Sequence, residues 1–318
     1  MKASFNKGVF AGLSTTWTLG KVIFPITLLV GILRHTPVID WAVKLISPIM
    51  SLIGLPGEAA IPLVLGNLLN LYAGIAGILT MDLSVKEVFI LAVMLSFSHN
   101  LLIESTVASK VGIKMWIIVL VRIGLALLSA AAIRFLWNGG SETAHYGLIS
   151  QDHAANGWGD ILLQALIKAS LGILQLAVIV IPLMIIIQFM KDYGWLNRLS
   201  GLLAPFTRFL GMKENTSMTM VAGLTIGLAY GAGVMIQAVK EDGVSRKDIT
   251  LAFIFLVSCH AVVEDTLIFI PLGIPVWPLL AIRLSVAVLL TVIIAKIWSK
   301  RELTARKDKE YETNYDSF

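Results

Sequence analysis

Apolar stretches of membrane-spanning length recur along nearly the whole of this 318-residue chain, and no other feature restricts its fold as strongly. Hydrocarbon offers no water to an unpaired peptide group, so only helices and closed barrels cross it. A barrel would show short strands of alternating polarity, which are not seen, and the runs are too long for the core helices of a soluble domain. Composition agrees: residues are 57% hydrophobic and 14% charged, with a mean hydropathy of +0.84. Soluble domains average about 25% charged residues, so too few are present here to cover a water-facing surface. The chain is therefore expected to be an all-α polytopic membrane protein, with the lipid bilayer as its first partner.

The single cysteine, Cys259, excludes an internal disulfide and any Cys-cluster metal site. The net charge of +5 does not point to nucleic acid. Basic residues gather at segment ends and in the tail (Lys300, Arg301, Arg306, Lys307, Lys309), as membrane topology requires. Lys2 and Lys7 precede an apolar run that continues through Pro25 to Val30 without a small-residue cleavage site, which reads as a retained first membrane segment.

The two halves repeat one unit. Pro25 matches Pro182, Pro48 matches Pro205, Gly54 matches Gly211 and Gly66 matches Gly223, all 157 residues apart. His99 matches His260, Gly112 matches Gly273, Trp116 matches Trp277 and Arg122 matches Arg283, all 161 apart, with a four-residue insertion near Lys240 to Val244 changing the offset. Each unit reads as five helical segments, roughly 13–33, 39–54, 58–79, 85–110 and 114–137, then 163–190, 195–210, 216–239, 248–271 and 276–298, about ten membrane helices in all. The expected organisation is a first repeat at 1–137, an extracytoplasmic linker at 138–160, a second repeat at 161–298 and a basic cytoplasmic tail at 299–318.

The linker holds Glu142, Asp152 and Asp160 but no Lys or Arg, whereas both chain ends are basic. The positive-inside rule puts both termini in the cytoplasm of a cell (inner) membrane protein and the linker outside. With five crossings per half, the inner connections carry fourteen basic residues and the outer ones three (Arg34, Lys86, Lys213), with Arg134 and Arg208 dissenting. Each half then crosses an odd number of times and the repeats are inverted. The alternative is that 39–54 and 195–210, which contain Lys44, Pro48, Arg198 and Pro205, lie on the surface and leave eight crossings with parallel repeats.

Polar chemistry concentrates in the third, fourth and fifth segments. Gly66, Asn70 and Gly74 in one half, and Gly223, Gly227 and Gly231 in the other, share a helix face and allow close packing or local unwinding. The amide of Asn70 needs partners or a solute in hydrocarbon, and Tyr72, Tyr230 and Gln237 add polar handles. The hairpin SFSHNLLIEST places Glu104 nine residues before Ile113 and Arg122 nine after. The second hairpin places Asp265 and Arg283 likewise about Ile274. Nine residues rise about 13 Å, close to half of a ~30 Å hydrocarbon core, so both pairs belong near the midplane. A charge at that depth costs about 2.5–3.5 kcal/mol unless it is paired or lines a cavity.

Two readings of these residues stand side by side. In one, Arg122 with Glu104 and Arg283 with Asp265 are structural ion pairs. In the other, His99, Glu104, His260, Glu264, Asp265 and Asn70 bind a solute or ion, by proton relay, hydrogen bonding or cation ligation. His260 and Glu264 stand four apart, on one face of a continuous helix, while His99 and Glu104, five apart, sit at a less favourable angle. Imidazole with carboxylate would suit a first-row divalent ion, with Cys259 adjacent, although no tight ligand motif such as HExxH is present. No nucleophile beside a base supports an intramembrane hydrolase, so the chain is not expected to be an enzyme or to carry a cofactor.

The duplicated unit PGEAAIPLVLGNLLNLYAGIAGI with its SFSHNLLIEST hairpin resembles the Gate, or nucleoside-recognition, domain family. Related segments occur in concentrative nucleoside transporters, in the membrane part of ferrous-iron transporters and in spore maturation proteins A and B. The resemblance covers about residues 13–298 and implies a transporter-like inverted-repeat core. No GxxxxGK[ST] loop occurs, so coupling to nucleotide hydrolysis would need another subunit. The expected function is a secondary transporter or permease for a small polar solute, nucleoside-like or a divalent cation. The alternative is a non-transporting membrane component assembled as a homo-oligomer or with a partner membrane subunit.

Overall fold

The computed structural model describes residues 2–33, 36–147, 157–228, 233, 235–236 and 243–315; for residues 19, 22, 38–42 and 301–315 it describes the backbone alone. Tyr230, Gly231, Gln237, Lys240 and Asp152 lie outside the described residues. The helices are α1 (Lys2–Leu33), α2 (Pro37–Leu52), α3 (Ala60–Leu68), α4 (Leu71–Ile78), α5 (Val85–Ser98), α6 (Leu101–Lys110) and α7 (Met115–Leu136) in the first half. The second half holds α8 (Trp158–Asp192), α9 (Trp195–Phe209), α10 (Ser217–Ile226), α11 (Arg246–Ser258), α12 (Val262–Leu267) and α13 (Val276–Tyr315). Among the described residues there is no strand, only an isolated bridge between Ser84 and Thr143.

Among the described residues, six stretches are long and apolar enough to cross a bilayer: α1, Val85–Lys110, α7, α8, Arg246–Leu267 and Val276–Lys300. A seventh is present if α2 and α3 count as one span, but their axes meet at 89° across a break at residues 53–56, after which the Gly57–Ala59 turn starts the second arm. The remaining short elements follow from local sequence. α9 has 15 residues and α10 has 10, below the ~20 that a crossing helix needs. The third segment of the first half is cut at Asn70, whose extended backbone ends α3 while its side-chain oxygen accepts the Ala73 N–H at 3.0 Å and starts α4.

The fourth segments start and break alike. Ser84 opens α5 through a capping box with Glu87, and Ser245 opens α11 by accepting the Asp248 N–H. Each helix then breaks after 13 or 14 residues at a left-handed residue, Asn100 (φ 50°) and Ala261 (φ 40°). The freed amides are taken up identically: Asn100 N donates to Gly66 O at 2.8 Å and Ala261 N to Gly223 O at 3.0 Å. Glycine at both acceptors lets a leucine pack against the break, since a Cβ would lie 2.3 Å from a Leu95 methyl at Gly66 and 2.4 Å from a Leu256 methyl at Gly223.

Packing is organised around the fourth segments. α5 and α11 are enclosed, with Leu91, Val93 and Phe97 in one core and Phe253, Phe255 and Leu256 in the other. α1, α7, α8 and α13 turn large apolar side chains outward, among them Phe10, Leu128, Val178 and Leu289. Lipid is as apolar as leucine, so the outer helices hold together by close approach rather than by escape from water. α1 and α8 show this. Gly8 faces the Ile185 backbone, Gly12 faces Ile181, Gly20 faces Ile173 and Gly31 faces Ala165, a falling register that makes the two helices antiparallel.

Candidate functional site

The four helix breaks, at Asn70, His99–Asn100, Gly227 and Cys259–Ala261, converge on one cavity of about 390 Å³. Its walls include Thr18, Asn70, Tyr72, His99, Asn100, Glu104, Gly227, His260, Glu264 and Asp265. Each of the six residues expected to bind a solute or ion is therefore on its wall. Arg122 and Arg283 stand behind it, fully buried on α7 and α13.

Each arginine serves a broken helix end and a carboxylate together. Arg122 donates from Nε to the Phe97 carbonyl (2.7 Å) and from Nη2 to the His99 carbonyl (2.5 Å), and Nη2 lies 2.9 Å from Glu104 Oε2. Arg283 donates from Nη2 to the His260 carbonyl (2.8 Å) and to Asp265 Oδ2 (2.9 Å). The last carbonyls of a helix are unpaired and carry the negative end of its dipole, so a guanidinium there satisfies both the dipole and a buried anion.

The histidines join the halves. Their rings lie 5.1 Å apart, and His260 Nε2 sits 3.3 Å from Glu104 Oε2 and 3.7 Å from Asp265 Oδ2, while His99 Nε2 is 3.6 Å from Glu104 Oε1. Nδ1 of each ring faces the carbonyl one turn back, Leu95 O at 2.7 Å and Leu256 O at 2.8 Å. That contact assigns the ring proton to Nδ1. A neutral ring then turns the Nε2 lone pair toward a carboxylate, and His260 Nε2 is buried with no hydrogen-bond donor facing it. The arrangement therefore calls for a positive species on the Nε2 side, either a second proton or a bound cation.

Two pairs spaced for continuous helices are arranged differently in the structure. His260 and Glu264 do not share a helix face, because the chain breaks between them; Glu264 lies on α12 and receives the Tyr72 hydroxyl from α4 of the other half. The same kind of break brings His99 to Glu104, which five residues of unbroken helix would have turned away. One donor atom each from His99, Glu104 and His260 lies within 4.8 Å of the others, so these three could hold a metal ion, although Arg122 already occupies Glu104. The Tyr72–Glu264 contact is not legible in the sequence, since nothing in either segment indicates that the two residues meet.

The model of the Gate family, described as nucleoside recognition, matches residues 16–138 and 173–275. The Bacillus subtilis (strain 168) protein named uncharacterized membrane protein YvoD is 71% identical over 301 residues, covering 94% of this chain and 96% of that protein. No solved structure matches. With both halves of the chain, and the breaks that build the cavity, inside the matched residues, this membrane protein belongs to the Gate family.

Proposed function

We propose that the chain is a secondary transporter or permease, not an enzyme, which moves a small polar solute through the cavity between its halves. The observation that carries this reading is the cavity itself, where two histidines and three carboxylates meet at four helix breaks. A static core gains little by interrupting four helices in hydrocarbon, whereas a solute pathway needs exposed polar groups at that depth. The antiparallel register of α1 and α8, the first helices of the two repeats, supports inverted repeats, and the basic chain ends support a cell membrane setting with both termini cytoplasmic. Repeats of opposite orientation around one central site are a geometry suited to alternating access. The family's description favours a nucleoside-like solute, while His99, Glu104 and His260 are the donors a divalent cation would use, one of them already facing Arg122.

A second reading, a non-transporting component of a larger membrane assembly, has one observation in its favour: Arg122 and Arg283 satisfy carbonyls as well as carboxylates, as a lock on the fold would. Uptake by purified protein in liposomes separates the two. Saturable entry of radiolabelled uridine above protein-free vesicles is the expected result, with Mn²⁺ measured beside it. Absence of entry for both, and for a panel of other nucleosides, would favour the assembly role.

A further inference from the structure

The ionised groups of the cavity form a matched frame with one group left over. His99 and His260, Glu104 and Asp265, and Arg122 and Arg283 are repeat mates, and each guanidinium lies 2.9 Å from its own carboxylate, so two positive charges meet two negative ones. Glu264 breaks the pattern. Its mate in the first half, 161 residues earlier, is Ile103, and both line the cavity.

We infer that the cavity takes one monovalent positive charge at a time and discriminates against divalent cations, with Glu264 as the residue that sets this preference. The inference rests on the reading of the cavity as a solute pathway and adds its charge selectivity. Beside the balanced frame, an ionised Glu264 leaves one negative charge in hydrocarbon, where an unbalanced charge is expensive. The groups facing that volume are Tyr72 from α4, His99 and Glu104 from the first hairpin, and His260 and Asp265 from the second, with Arg122 and Arg283 behind. Among them, the buried His260 Nε2 has no hydrogen-bond partner and points at two carboxylates, which marks where a positive charge is wanted. A single charge in this cavity neutralises Glu264 on its wall. A divalent ion would leave the site positive and would compete with guanidinium groups already placed on Glu104 and Asp265.

The test is thermal melting of the purified protein with NaCl, with choline chloride at equal ionic strength, and with MnCl₂. Sodium should raise the melting temperature of the wild type by about 3 °C or more over choline. Glu264→Gln should lose that rise and Glu264→Asp should keep it. Moving the carboxylate to its mate's position, Glu264→Ile with Ile103→Glu, should restore it where Glu264→Ile alone does not. If the charge is a proton, sodium has no effect, and the stability difference between wild type and Glu264→Gln instead changes with pH with the slope of one proton. A larger rise with MnCl₂ than with NaCl, or the same response in wild type and Glu264→Gln under every condition, would overturn the inference. Wild-type uptake without this cation preference would sink the inference alone. The preference without uptake would sink only the transport reading.

Discussion

Arg122 and Arg283 show how much one side chain settles in hydrocarbon. Each closes a broken helix end and neutralises a carboxylate from within the fold, so removal leaves carbonyls and an anion stranded together. Arg122→Ala should destabilise the protein by about 3–5 kcal/mol, the range for breaking a buried pair, and Arg122→Ala with Glu104→Gln should recover part of it. Thermal melting of the purified variants measures both, and a double variant no more stable than the single one would contradict the pairing. These pairs were legible in the sequence because the two hairpins repeat one symmetric spacing. The setting of Glu264 was not, for two reasons. Tyr72 reaches it only through tertiary crossing, and the break before it is made by Ala261, a residue that ordinarily favours helix.

At the scale of elements, the architecture turns on corners and interruptions rather than on long helices. The 89° turn between α2 and α3 depends on Gly57, where a Cβ would lie 2.7 Å from the Val43 carbonyl oxygen and 2.1 Å from Ser47 Oγ. Because backbone blocks one of those contacts, Gly57→Ala should cost about 1–3 kcal/mol. Gly124 in α7 meets nothing within 4 Å, so Gly124→Ala should be neutral or stabilising by up to about 1 kcal/mol. Equal melting shifts for the two would show that the corner is not held in this way. Glycine-rich third segments signalled unwinding, and Asn70 and Gly227 are where it occurs. The breaks of the fourth segments carried weaker signals. Asn100 tolerates a left-handed backbone, but Ala261 does not announce one, and both are imposed by the bonds to Gly66 and Gly223.

Across the described residues both halves of the chain contribute to each of two apolar cores, and residues of both halves line the polar cavity. The sequence shows residues as distinctive as His, Trp and Arg recurring in register. It does not show the way the halves meet, since a repeat offset carries no information about which surfaces touch. If the halves are inverted, single cysteines introduced in 142–147 should be labelled from outside and those after Ser299 from inside, against a background in which Cys259 is buried. Labelling of both sets from one side would exclude inversion. The most direct test of the central claim is to measure uridine and Mn²⁺ uptake and thermal stability on the same purified His260→Ala protein. If the histidine serves a solute pathway, uptake of whichever probe the wild type carries falls at least tenfold while the melting temperature stays within a few degrees. Unchanged uptake with a lowered melting temperature would show that His260 only holds the fold together.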